Sequence, residues 1–149
     1  MTEAVAKTRS ECVGCDFAIF SDGLDLENLV GRLGINADWL LPPVAATLDS
    51  KGVARNCGRR GCWLVRSNGR VVSEDVNEHL RYLLAILQPH RETIIAAAKG
   101  GVATFTVNWS GPTYPYHCGP TLAVDCVAGI ADLEAEITFT LHVGQQAGA

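Results

Sequence analysis

Two stretches near the C-terminus alternate apolar and polar residues with a period of two. In 102–109, Ala103, Phe105, Val107 and Trp109 alternate with Thr104, Thr106 and Asn108. In 133–143, Leu133, Ala135, Ile137, Phe139, Leu141 and Val143 alternate with Glu134, Glu136, Thr138, Thr140 and His142. Successive side chains of a strand point to opposite faces, so both stretches predict strands of a sheet that is dry beneath and wet above, as antiparallel sheets commonly are. Upstream the period changes. Leu26, Leu29, Val30 and Leu33 fall at i, i+3, i+4 and i+7, with Asp25 placed to cap and Gly34 to end a short amphipathic helix. Val76, Leu80, Leu83, Leu84 and Leu87 form a second stripe, for which Ser73 is the expected cap and Glu74 and Asp75 the acids of the first turn. Pro89 interrupts it, and a further helical piece carrying Ile94, Ile95 and Ala98 ends at Gly100-Gly101. A weaker helix is expected from about 121 to 130.

Residues 16–20 are rich in strand formers and run into Ser21-Asp22-Gly23, which predicts a first strand. Residues 62–67 and 70–72 flank Asn68-Gly69, the signal of a tight hairpin. Residues 36–61, with Trp39 and Pro42-Pro43, read as irregular, with a short strand around Thr47. Residues 1–14 read as a tail, and 15–149 as a single α+β domain. The expected architecture is two-layered, with a mostly antiparallel sheet, helices on one face and a duplicated split βαβ (ferredoxin-like) pattern.

The chain has 149 residues, enough for one core that buries roughly 70% of the unfolded surface. At 48% hydrophobic and 19% charged it is too apolar for disorder. The longest apolar run, 82–87, is far too short to span a bilayer, and residues 1–11 lack the apolar core of a leader peptide. A cytoplasmic setting, without membrane contact, is therefore expected. The net charge of −4 disfavours nucleic acid as a partner. The charge is unevenly spread. Lys51, Arg55, Arg59, Arg60, Arg66 and Arg70 fall in one segment without an Asp or Glu, which is +6 and leaves −10 on the rest.

Several of these features occur together in one family. The strand ending at Ser21-Asp22, the helix Leu26–Gly34, the basic loop, the strand Gly61-Cys-Trp63-Leu64, the helix His79–Leu87 and the paired terminal strands resemble the bacterial domain-of-unknown-function family 4279. The resemblance covers about residues 15–143, with Trp63 its most specific point. Cys62 departs from it, since an aliphatic residue usually precedes the Trp. The resemblance implies the α+β fold and a bacterial cytosolic setting, and it brings no catalytic residues with it.

Candidate chemistry lies in three places. Cys12 and Cys15 have the spacing of a zinc knuckle, and Cys57 and Cys62 form a second, wider pair. If the first two major strands run parallel, both pairs lie at one end of the sheet as a four-thiolate zinc site. The alternative makes Cys15 and Cys62 buried packing residues, Cys12 and Cys57 incidental thiols, and leaves the chain without a cofactor. Arg55, Arg59, Arg60 and Arg66 near Trp63 form a candidate site for an anion or an acidic partner, because guanidinium groups bind carboxylate and phosphate bidentately. Against this stands a solvated loop whose arginines pair with acids of the same domain. The loop 111–120, with Tyr114, Tyr116, His117 and Cys118, is the third candidate. His79, His90 and His142 read as exposed. No Gly-x-Gly-x-x-Gly, Walker-type loop, His-Glu-x-x-His or Gly-x-Ser-x-Gly is present. The sequence thus favours a non-enzymatic protein that binds a protein partner, for example to neutralise a toxin or effector. The competing class is a zinc-containing or small-molecule enzyme using the cysteines or the 111–120 loop.

Overall fold

The computed structural model describes residues 13–56, 58–112 and 119–144. Its centre is β1 (Gly14–Ser21), whose alternate residues Cys15, Phe17 and Ile19 are fully buried. Helix α1 (Leu26–Leu33) follows, with Asp25 accepting the Asn28 amide at its start and Gly34 in the left-handed conformation at its end, as the cap residues predict. Three short strands come next: β2 (Trp39–Leu41), β3 (Thr47–Leu48) and β4 (Ala54–Asn56). Then come β5 (Gly61–Arg66), α2 (Val76–Leu87), a 3₁₀ turn at Gln88–His90 that contains Pro89, and α3 (Arg91–Ala97). The chain closes with β6 (Gly101–Pro112), α4 (Val124–Asp132) and β7 (Glu136–Gly144).

The main sheet has the order β2-β5-β1-β6-β7. All neighbours run antiparallel except β6 and β7, which are parallel. Ile19 lies opposite Trp63 and Ala103, and Phe17 opposite Val65 and Phe105. Their side chains share one core with Leu29 and Leu33 of α1, Leu80 and Leu83 of α2, Ile94 of α3 and Ile130 of α4. The helices therefore cover one face of the sheet, and the protein is a two-layer α+β fold. The other face carries Trp39, Leu41, Leu64 and Phe20 towards the β2 edge, and Thr104, Thr106, Asn108, Thr138 and Thr140 towards β7.

The topology departs from a duplicated split βαβ pattern. β1 and β5 are adjacent and antiparallel, so the first strand–helix–strand segment is not such a unit. β5 and β6 are parallel with β1 between them, which makes one split unit. β6 and β7 form an adjacent parallel pair bridged by α4. The Asn68-Gly69 hairpin is also absent. Only Gly69 takes a positive φ, whereas the hairpin turn needs two such residues in succession. The chain instead turns tightly, with the Arg70 and Val71 amides donating to the Ser67 carbonyl, and heads for α2. The α2 cap is Asp75, with Ser73 Oγ accepting the Asp75 amide. β7 begins at Glu136 rather than Leu133, which is buried at the end of α4.

His79 is not exposed. It is 1% accessible, on the inner face of α2, and is held by two hydrogen bonds. Its Nε2 lies 2.9 Å from the Ser73 carbonyl and its Nδ1 lies 2.7 Å from Ser67 Oγ. A carbonyl only accepts, so Nε2 carries the proton and the Ser67 hydroxyl donates to Nδ1. Ser67 Oγ in turn accepts the Cys15 amide at 2.9 Å. This chain of bonds ties the start of β1, the turn after β5 and α2 together, and it satisfies the polar groups that would otherwise be orphaned there. Ser67→Ala removes the central member and is expected to cost about 1–3 kcal/mol in urea unfolding, whereas His79→Leu also misfits the packing and is expected to cost more. Unchanged unfolding midpoints in both variants would refute this role.

Candidate functional site

The segment between β2 and β5 leaves the body of the protein as an arm. Val44 and Arg59 exchange backbone hydrogen bonds of 2.8 and 2.7 Å at its base. β3 pairs antiparallel with β4 above them. The tip is organised by Asp49, whose Oδ1 accepts the amides of Lys51 and Val53, both at 2.9 Å, while Gly52 takes the positive φ the turn requires. A cleft of about 480 Å³ opens under the arm, lined by Val44, Ala46, Arg59, Arg60 and Asp22. The arm and β2 expose large apolar side chains in quantity: Trp39 at 54%, Leu48 at 68%, Val53 at 59%, and also Leu40 and Val44. Val44, Leu48 and Val53 stand on the arm itself, while Trp39 and Leu40 belong to the adjoining β2 and alternate between the two faces of the sheet.

The arginines that the sequence groups together find acids brought in by the fold. Arg66 lies 3.5 Å from Asp16 across the β5–β1 ladder. Arg70 holds Asp38 through two bonds of 2.6 and 3.1 Å. Burial pushes the Asp38 carboxyl up, but the Arg70 guanidinium and the Arg66 amide outweigh it and leave Asp38 below the usual carboxylate range. At Asp16 burial wins over Arg66 and the carboxyl is raised. Arg60 lies 3.5 Å from Asp22, the same distance as the Arg66 pair, Arg55 lies 3.9 Å from Asp49, and Arg59 donates to the Pro42 carbonyl at 3.1 Å. Arg55, Arg59 and Arg60 stand on the exposed arm, while Arg66 belongs to the sheet.

Trp63 is not part of that surface. It is wholly buried, edge-on to Phe17 with ring centroids 6.3 Å apart, and its indole N–H has no acceptor among the described residues. The exposed tryptophan of the region is Trp39.

Cys12 and Cys57 lie outside the described residues, as do Tyr114, Tyr116, His117 and Cys118 of the 111–120 loop. Cys15 and Cys62 are placed, and they do not converge. The expectation that brought them together required parallel strands, but β1 and β5 run antiparallel, and Cys62 pairs with Phe20, five residues from Cys15. That separates them by ~17 Å along the strand and puts them on opposite faces of the sheet. A tetrahedral thiolate site needs its sulfurs within about 4 Å of each other. Both are packing residues, and burial raises both thiols, that of Cys15 to about 12.

The family model described as "Domain of unknown function (DUF4279)" matches residues 10–144, nearly the whole chain. The chain belongs to this family. No curated protein and no solved structure matches it. Within this DUF4279 protein, Trp63 has a structural role, as the largest fully buried side chain. Of the arm, sequence reasoning placed the short strand around Thr47, which is β3, but not β4 or the pairing of the two, because strands of two or three residues lie below any measurable period. The Asp49-Ser50-Lys51-Gly52 turn was the available signal, since Asp at the first position and Gly at the fourth favour a type I turn.

Two outcomes test this assignment of the cysteines. Protein purified without added metal is expected to hold less than about 0.1 zinc per chain by elemental analysis, because a closed site would retain its ion. The Cys15 thiol, buried and beside Asp16, is raised from 9.0 to about 12 in the folded chain. The folded state then binds this proton more tightly, so its contribution is complete below pH 9.0 and is lost as pH rises towards 12. The melting temperature of the wild type should fall more steeply above pH 9.0 than that of Cys15→Ala, and parallel curves would contradict the burial argument.

Proposed function

We propose that this DUF4279 protein is a non-enzymatic binding protein that engages a protein partner through the arm and the β2 edge. The observation that carries this reading is the exposure of Val44, Leu48 and Val53 on the arm and of Trp39 and Leu40 on the adjoining β2, in a segment that also exposes Arg55, Arg59 and Arg60. Protein interfaces combine an apolar centre, an aromatic anchor and an arginine-bearing rim. The acid partners of Arg55 and Arg60 hold them at 3.9 and 3.5 Å, and exposed pairs of that kind contribute little. Exchanging Asp49 or Asp22 for a carboxylate of the partner therefore costs the fold little. The partner that fits has an apolar patch ringed by Asp and Glu. Neutralising a toxin or effector, in the manner of an immunity protein, is the role this reading favours.

The test uses the whole chain as bait in an extract of its source cells, with a Trp39→Ser, Leu48→Ser, Val53→Ser variant alongside. These side chains are exposed, so the variant should unfold within about 0.5 kcal/mol of the wild type for each change. Loss of one specific captured protein by the variant supports the reading. Equal capture by both chains rejects the arm as the interface.

A further inference from the structure

Among the described residues, the β6–β7 ladder outruns the rest of the sheet. β1 accompanies β6 only to Asn108, while β6 and β7 remain paired to Pro112 and Gly144. Among the described residues the sheet beyond Asn108 is two strands wide, an arrangement of marginal stability in water. β7 is also an outer strand, and among the described residues nothing pairs with its far side. Along its 9 residues, every second one therefore turns an N–H and a C=O outwards.

Long edges in natural proteins are normally blunted by Lys, Pro, bulges or short length. The opposite edge, β2, has only 3 residues. Residues 136–144 contain no Lys, Arg or Pro, and their ladder to β6 shows no shift of register. Their one acid, Glu136, is at the extreme end. α4 covers the beginning of β7, where Ile137 joins the core, but leaves Phe139 and Leu141 exposed at 41% and 48%.

We propose that β7 pairs antiparallel with β7 of a second copy of this chain, about a two-fold axis at Thr140, joining two five-stranded sheets into one. The strand is self-complementary in that register. Phe139 falls opposite the second copy's Leu141, twice by symmetry, and Thr140 falls opposite its own counterpart. Aromatic–aliphatic and Thr–Thr pairs are favourable across antiparallel strands. Each Glu136 meets the second copy's Gly144, so the two acids stand at opposite ends, whereas a parallel pairing would set them side by side. A two-fold axis also closes the assembly, so that no free β7 edge is left to propagate. This surface lies at the edge of the sheet opposite the arm, and it holds whether or not the arm binds a partner.

Sedimentation of the full chain under reducing conditions, across the micromolar range, tests the proposal. A reversible dimer is expected. Thr140→Lys, which puts two cations face to face at the axis, should weaken it at least tenfold while leaving the circular dichroism spectrum unchanged. Thr140→Cys should cross-link rapidly between copies under mild oxidation, and Glu136→Cys should not, because the two copies' residues 136 lie far apart. A wild type that stays monomeric throughout, a dimer indifferent to Thr140→Lys, or equal cross-linking at positions 136 and 140 would each overturn the assignment.

Discussion

Phe17 is the residue around which this protein is arranged. Its ring lies 4.8 Å from that of Phe105 on one side and 6.3 Å from that of Trp63 on the other, so three strands are held by one aromatic cluster. The cluster also fixes register. Moving either neighbour by one residue would turn Trp63 or Phe105 out of the core and Leu64 or Thr104 into it, and such a slip reverses every side chain of the strand. With β1, β5 and β6 locked in this way, the helices have one apolar face to cover. The Cys15–Ser67–His79 bonds then fasten α2 to the start of β1, where Cys15 would otherwise leave its amide unpaired.

The charge distribution looks different in sequence and in space. A run of six cations without an acid would repel itself if it stayed together. The fold distributes it, so that Arg66 meets Asp16 of β1, Arg70 meets Asp38 before β2, and Arg60 meets Asp22 after β1. The tight pair is Arg70–Asp38, which anchors the approach to β2 to the turn after β5. The longer pairs are Arg66–Asp16 in the sheet and Arg60–Asp22 at the arm, both at 3.5 Å, and Arg55–Asp49 on the arm at 3.9 Å. Place in the fold therefore separates Arg66 and Arg70, which join β5 and the turn after it to acids of other segments, from Arg55, Arg59 and Arg60, which stand on the arm.

The two edges of the sheet are unequal in the same sense. β2 is short, and its exposed residues continue into the arm. β7 is long, regular and uncharged over most of its length. One edge offers side chains of mixed chemistry, suited to recognising another protein, whereas the other offers mainly backbone, which a second identical strand matches best. A chain with both features has room for a partner and for a copy of itself without competition between them.

The sequence by itself determined the elements with a strong local signature: the period-two runs of β6 and β7, the capped helix between Asp25 and Gly34, the Leu stripe of α2 and its interruption at Pro89. Local sterics and side-chain alternation set these, so they are legible without knowing the neighbours. Tertiary structure alone decided the direction of β5 against β1, and with it the separation of Cys15 from Cys62, because strand direction depends on which edges meet rather than on composition. It also decided that Trp63 lies inside and Trp39 outside, and that His79, a polar residue on a helix, is buried between two acceptable hydrogen-bond partners. Burial is a property of what packs opposite a residue. For Trp63, His79 and the arginines, what packs opposite comes from segments distant in the chain, and no local pattern contains it.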